Sequence, residues 1–387
     1  MSIAVLYPRF DHPAVEERYA SWQTQMLLRG GEEHSRMLFY DPEESARDIV
    51  ADVEEEHVLV ITDPLVLPSK RIGVRLRDAL ARSTLIAALP VANESDVPEQ
   101  KRAPLVPYLT LRELQSSIER QAGEPESITR VKWQRADPAI FLARTETLEA
   151  IDRPLRDALR GADVAISGSD YVHRWSSLRG QTRHDLLDLI GTDAKSVLEF
   201  GCGEAPLGME LKKRQQCRIV GIELDPAAVA IAKKRIDDVY CGDVRQIVSI
   251  LDERFDWIVG GDIVEHLDEP WSFLAELRRV SAPGGHLLLS IPNISNASVV
   301  ADLLHGRFDY VYMGLTCVGH LRFFTRQSLE DMLTIAGWTI ESITPQNLGV
   351  TAAGQRLLTA LDQAGYDSSK EAMVPTGYYV IARNGGV

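Results

Sequence analysis

A short apolar run, Ser196-Val-Leu-Glu-Phe200, leads straight into Gly201-Cys-Gly203, and helical character follows over Pro206 to Arg214. No other stretch constrains the fold as strongly. A strand that ends on glycines and turns at once into a helix forms a cradle where backbone approaches a ligand closely, because no side chain blocks it. A dinucleotide fingerprint would need a further glycine where Pro206 stands, so a nicotinamide cofactor is disfavoured.

Three more elements follow in order. The strand Arg218-Ile-Val-Gly-Ile222 ends in Glu223, about 20 residues past the turn, where a carboxylate can accept hydrogen bonds from both hydroxyls of a ribose. Leu224-Asp225-Pro226 opens the next helix. Tyr240-Cys-Gly-Asp243-Val244 offers a carboxylate suited to an adenine amine, with the Val244 N–H available to a ring nitrogen. Phe255 to Gly260 reads as a fourth strand, and Gly261-Asp262-Ile-Val-Glu-His266-Leu lies at its mouth. A helix over Pro270 to Val280, a turn at Pro283-Gly284-Gly285 and a strand over His286 to Ile291 come next. Gly319-His320-Leu-Arg322-Phe-Phe-Thr325 precedes a helix over Arg326 to Ala336, and Gly377 to Arg383 makes a final strand after an insertion from Pro345 to Thr376.

The segment Glu199-Phe-Gly-Cys-Gly resembles motif I of the class I S-adenosylmethionine methyltransferases, D/E-x-G-x-G-x-G, with Ala205 at the third glycine position. The stretch from Val280 through Pro283-Gly-Gly285 to Pro292-Asn293 is similar to that family's L-x-P-G-G-x-L signature. The block from His320 to Thr325 resembles the H-x-R-F-F-T block of its small-molecule and sugar O-methyltransferases. The resemblance covers roughly residues 170–345 and the final strand. It implies a Rossmann-like, seven-stranded α/β domain whose last strand is antiparallel. It implies S-adenosylmethionine as cofactor, held by Glu199, Gly201, Cys202, Gly203, Glu223, Leu224, Asp243, Val244 and Asp262.

The donor in such chemistry is a sulfonium whose charge is lost in an in-line displacement, so positioning and exclusion of water carry much of the catalysis. An alcohol acceptor also needs a base, and His266 and His320 compete for that role, His266 favoured as the base and His320 for contact with the acceptor. Either ring can instead brace its loop. Tyr171 and Arg174 precede the domain's leading helix, where related enzymes carry a lid. Tyr310, Tyr312 and Arg322 complete an acceptor-side set of aromatic and basic groups. Oxygen is the expected acceptor atom, because the N-P-P-Y/F tetrad of N-methyltransferases is absent after the fourth strand, where Gly260-Gly-Asp262 stands. The expected reaction is thus O-methylation of a sugar or related small metabolite. No carboxylates and histidines stand at metal-ligand spacing, so transfer is expected to be metal-independent. The competing reading is a non-catalytic subunit that uses the same fold to bind a ligand or partner.

Residues 1–151 alternate apolar runs with amphipathic ones. Strands are expected at Ile3–Tyr7, Met37–Tyr40, His57–Thr62, Leu85–Leu89, Val131–Gln134 and Ala139–Ala143, with helices over Val15–Leu28, Glu43–Val53, Ile72–Ala81 and Pro104–Gln121. The pattern argues for a separate, smaller α/β domain with a mostly parallel sheet. The strand-end carboxylate Asp63, with the later Ala139-Ile-Phe-Leu strand, faintly resembles a nucleotide-sugar glycosyltransferase of the GT-A type, or an acceptor-orienting domain, although the metal-binding DxD pair is missing. Residues 152–170 read as a connector, from Pro154, Gly161, Gly168 and Ser169.

A net charge of −14 disfavours nucleic acid as substrate. The four cysteines form no CxxC pair, which fits reduced thiols in a cytoplasm. No run of about 18 apolar residues exists to span a membrane. A homo-oligomer is compatible with everything in the sequence.

Overall fold

The computed structural model describes residues 3–9, 21–23, 25–27, 34–63, 66–93, 95, 97–102, 108–122, 127–175, 180–366 and 369–385. The chain divides into two compact units, residues 1–176 with 309–313, and residues 177–308 with 314–387. Among the described residues no helix is long and apolar enough to cross a membrane.

The first unit is built on eight strands: β1 (Ile3–Pro8), β2 (His34–Tyr40), β3 (His57–Ile61), β4 (Val66–Pro68), β5 (Ala87–Ala92), β6 (Ile128–Lys132), β7 (Ile140–Arg144) and β8 (Asp163–Arg174). Their order is β2-β1-β3-β7-β5-β8-β4, with β6 also paired to β8. The expected elements are found, with shifted ends. The helix at Ile72–Ala81 has the expected bounds, whereas the one expected from Glu43 covers Ala46–Val50 and the one expected from Pro104 begins at Leu111. Of the expected Val15–Leu28 helix, residues 21–23 and 25–27 are helical and the rest lies outside the described residues, as do 103–107.

Two expectations need correction. The sheet is mixed, because β7 runs antiparallel to both β3 and β5, and β4 and β6 run antiparallel to β8. The segment 152–170 is not a connector throughout: its second half enters β8, which pairs with β5 in parallel. Its polar residues lie inside the sheet. Ser167 Oγ donates to Asp170 Oδ2 at 2.6 Å, both residues are buried, and the pairing register slips between Pro90 and Val91, where Gly168, Ser169 and Asp170 form a bulge.

The second unit holds β9 (Ser196–Phe200), β10 (Arg218–Glu223), β11 (Asp238–Cys241), β12 (Phe255–Gly261), β13 (Ser281–Pro292), β14 (Thr339–Leu348) and β15 (Pro375–Arg383). Their order is β11-β10-β9-β12-β13-β15-β14. The first five are mutually parallel, and β15 lies antiparallel between β13 and β14. The order reverses between β9 and β12, which makes their carboxyl ends the place where such a sheet takes a ligand. Leu198, Phe200, Val220, Ile222, Ile258, Leu287 and Leu289 carry the core on one face, and helices including Pro270–Val280 and Arg326–Ile335 cover it with Phe273, Leu277, Leu329 and Leu333. Gly260 is required by this packing. A Cβ there would stand 2.0 Å from Cζ of Phe200, so the ring occupies the space that any side chain would need.

Candidate active site

The glycine turn is tight. The N–H groups of Gly201 and Cys202 both donate to the Ile222 carbonyl, at 2.8 and 3.1 Å, so the loop folds back on the end of β10. Gly201, Gly203 and Ala205 have φ of 70°, 55° and 56°, all left-handed. Ala205 therefore holds the conformation that glycine would supply, and it caps the helix Pro206–Arg214 from there. A non-glycine residue in that region costs roughly 1–2 kcal/mol, but the loop keeps its course.

Glu223, at the end of β10, accepts from the N–H groups of Gly203, Leu224 and Asp225 at 2.9, 2.8 and 2.9 Å. These fill three of the roughly four lone-pair sites of a carboxylate, so it is fixed at the mouth of the glycine loop. Leu224 beside it is exposed. Asp243 caps the helix Val244–Ile250, with its Oδ1 accepting from the Arg245 N–H, while the Arg245 side chain holds both oxygens and keeps the carboxyl below its usual range. An adenine amine would have to share Asp243 with Arg245. Glu199 is buried in β9 with Oε2 lacking a hydrogen-bond partner, and burial pushes its carboxyl up to about 8. The Cys202 thiol is likewise pushed up by burial.

Asp262 directly follows β12 and has a left-handed φ of 54°. Its Oδ2 accepts from Arg183 at 2.6 Å, its Oδ1 accepts from Ser290 Oγ at 2.9 Å, and these bonds hold the strained backbone. Arg183 also clamps Asp185, which in turn accepts from Tyr379 Oη at 2.7 Å. Arg183, Asp185 and Tyr379 were missed by sequence reasoning. They come from segments far apart in the chain, and no local pattern marks them.

A short 3-10 turn, Val264–His266, follows Asp262. Glu265 is fully buried and neither carboxylate oxygen has a hydrogen-bond partner. Burial first, and Asp262 second, push its carboxyl well above the usual range. Its carbonyl accepts from the N–H groups of Leu321 and Arg322 at 2.8 and 3.0 Å, which carries the His320 segment to this turn. His266 Nδ1 stands 3.0 Å from the Gly319 carbonyl, and the His266 and His320 rings meet edge to face at 4.9 Å. His320 Nε2 is 3.8 Å from Glu265 Oε1, too far for a hydrogen bond. Burial and the nearby His266 push the His320 ring down to about 3, so it is neutral at ordinary pH.

The expected acceptor-side residues divide differently. Tyr171 and Arg174 lie in β8 of the first unit, where Tyr171 is buried and Arg174 pairs with Asp63 and Asp137. Tyr310 and Tyr312 also belong to the first unit: Tyr312 stacks on Trp175 at 5.1 Å, and Trp22 Nε1 donates to the Tyr310 carbonyl at 2.9 Å. Arg322 bonds to the Asp268 carbonyl and lies over the Trp271 ring at 5.9 Å, a cation–π contact. Within the second unit the glycine turn, Glu223, Asp243, Asp262 and the two histidines lie beyond the carboxyl ends of β9, β10, β11 and β12, while Tyr171, Arg174, Tyr310 and Tyr312 belong to the first unit.

Residues 173–343 match a family model described as a methyltransferase domain. This stretch is a class I methyltransferase domain. Relatives of the domain include a protein of Mycolicibacterium smegmatis named as an S-adenosylmethionine-dependent methyltransferase, 30% identical over 149 residues, which are 38% of this chain and 53% of that protein. They also include the mitochondrial ubiquinone biosynthesis O-methyltransferase of Schizosaccharomyces pombe, 27% identical over 190 residues, 46% of this chain and 67% of that enzyme. The chain therefore spans about half the length of the first of these. A solved SAM-dependent methyltransferase from Archaeoglobus fulgidus aligns with 50% of this chain and 87% of its own, at 15% identity and a TM-score of 0.37. The cofactor of such a domain is S-adenosylmethionine. The buried Glu199 oxygen without a partner, the glycine turn and the Glu223 carboxylate fit it.

Proposed function

We propose that the methyltransferase domain transfers a methyl group to an oxygen atom of a small acceptor, a sugar or related metabolite, with His266 taking the acceptor's proton. The observation that carries this reading is the position of His266 just beyond β12, its Nδ1 anchored on the Gly319 carbonyl. As donor in that bond, Nδ1 leaves the lone pair on Nε2, the state a general base requires. S-adenosylmethionine, when bound, supplies an electrophilic methyl group on a sulfonium. Glu223 and Asp243 bind its nucleoside, the glycine turn gives it close backbone contact, and Glu199 orients the loop. Asp262, held by Arg183 and Ser290, fixes the end of β12 beside the reacting atoms.

The names of the relatives favour oxygen as the acceptor atom. The test is calorimetric titration of the full chain with S-adenosylmethionine and S-adenosylhomocysteine, on wild type and Glu223→Ala. Loss of a charge-assisted site worth about 1.5–3 kcal/mol would weaken binding by at least ~10-fold in the variant. No heat with either ligand on wild type overturns the reading. Methyl incorporation into sugars and nucleotide sugars then tests the acceptor class.

A further inference from the structure

We propose that Glu265, His266 and His320 bind one divalent first-row transition cation, of the zinc, manganese or cobalt type, which receives an oxygen of the acceptor. Each side chain offers one ligand atom, and the three atoms lie within 4.8 Å of one another. Ligands around such an ion, at about 2.0–2.2 Å from it, stand roughly 3.4 Å apart, so binding draws the three ligand atoms together. The gap between His320 Nε2 and Glu265 Oε1 is already 3.8 Å.

The second observation is independent of that spacing. Both oxygens of Glu265 are buried without a hydrogen-bond partner, an arrangement that is costly unless something absent from the protein's own atoms satisfies it. A cation does so directly. The third is the His266 Nδ1 contact with the Gly319 carbonyl, the kind of outer bond that fixes the tautomer and aims the other ring nitrogen at a metal. Two imidazoles and one carboxylate suit zinc, manganese or cobalt better than magnesium or calcium. Three protein ligands, one of them the exposed His266, leave positions open for an incoming oxygen, as catalytic metal sites do.

This inference rests on the proposed methyl transfer and replaces one part of it: with the cation bound, the lone pair of His266 is given to the metal, and the proton of a cation-bound hydroxyl, made more acidic there, leaves to water in place of the ring. Cation binding is measured without cofactor or acceptor, so its failure and the failure of methyl transfer are separate results. Chelator-treated full chain is titrated with Zn2+ by calorimetry, and with Co2+ by visible absorption. One equivalent of each is expected, with Co2+ giving the ligand-field bands of mixed nitrogen and oxygen coordination. Glu265→Gln and His320→Asn each weaken Zn2+ by at least ~10-fold, while His305→Asn, whose ring bonds to the Ala301 carbonyl, leaves it unchanged. Absence of stoichiometric binding to wild type, or Zn2+ affinity in Glu265→Gln and His320→Asn unchanged from wild type, overturns the proposal. Where a variant does not fold, the wild-type Co2+ spectrum decides alone.

Discussion

Arg174 with Asp63 and Asp137 in the first unit, and Glu265 with His266 and His320 in the second, are clusters of the same size built on opposite terms. The first is closed. Arg174 bonds to Asp63 Oδ2 through Nε and Nη2 at 3.1 and 2.7 Å and to Asp137 through Nη1, while its backbone is tied to Asn93. In the second, Glu265 lies deeper and has no hydrogen bond to either oxygen. A charge whose partners come from its own unit holds that unit together. A buried polar group without one is costly unless a partner from outside meets it.

Breaking each cluster tests that distinction. Arg174→Met leaves two half-buried carboxylates facing each other and is expected to cost about 2–4 kcal/mol, somewhat less than for a fully buried pair, read from the urea midpoint of the first unit. In chelator, Glu265→Leu is expected to be neutral or to stabilise by about 1 kcal/mol, because it removes an unsatisfied group. A large loss there would make the second cluster structural like the first.

A pH series on Glu199 sharpens the contrast next. Its folded-state value of about 8 lies above the ordinary 4.5. The unfolded chain thus releases the proton first, and the stability this group contributes is full below about pH 4.5 and lost as pH rises through 8. Glu199→Gln, free of that penalty, is expected to gain about 1–3 kcal/mol on wild type between pH 5 and pH 9 in the ligand-free protein. A flat difference in thermal midpoint across that range would show that Glu199 is already paired. The smallest effect belongs to Ala205→Gly. Relief of the left-handed strain is partly cancelled by the freer unfolded chain, for a net gain of about 0.5 kcal/mol with cofactor affinity kept.

The parts legible in the sequence are those set by local order. The turn at Gly201, the strand-end carboxylates Glu223 and Asp243, and the loop at Asp262 each follow a strand at short range, so the pattern of runs and glycines located them. His266 and His320 were legible as separate motifs. That Glu265 is buried beside them was not, because its carbonyl meets the Leu321 and Arg322 N–H groups across a long stretch of chain that no local pattern reveals. The same holds for Arg183, Asp185 and Tyr379. The Asp163–Arg174 strand was illegible for another reason: Ser167 and Asp170 are bonded to each other inside it, so polar letters spell a core strand.

The place of β15 bears on how the protein is made. This strand lies between β13 and β14, yet it leaves the ribosome after both. Until it arrives, β14 has no neighbour in the sheet, β13 shows an open edge, and Asp185 lacks the Tyr379 hydroxyl. The nascent chain must therefore carry an incomplete second sheet through much of its synthesis, with its central strands exposed to the sticking and mispairing that chaperones exist to prevent.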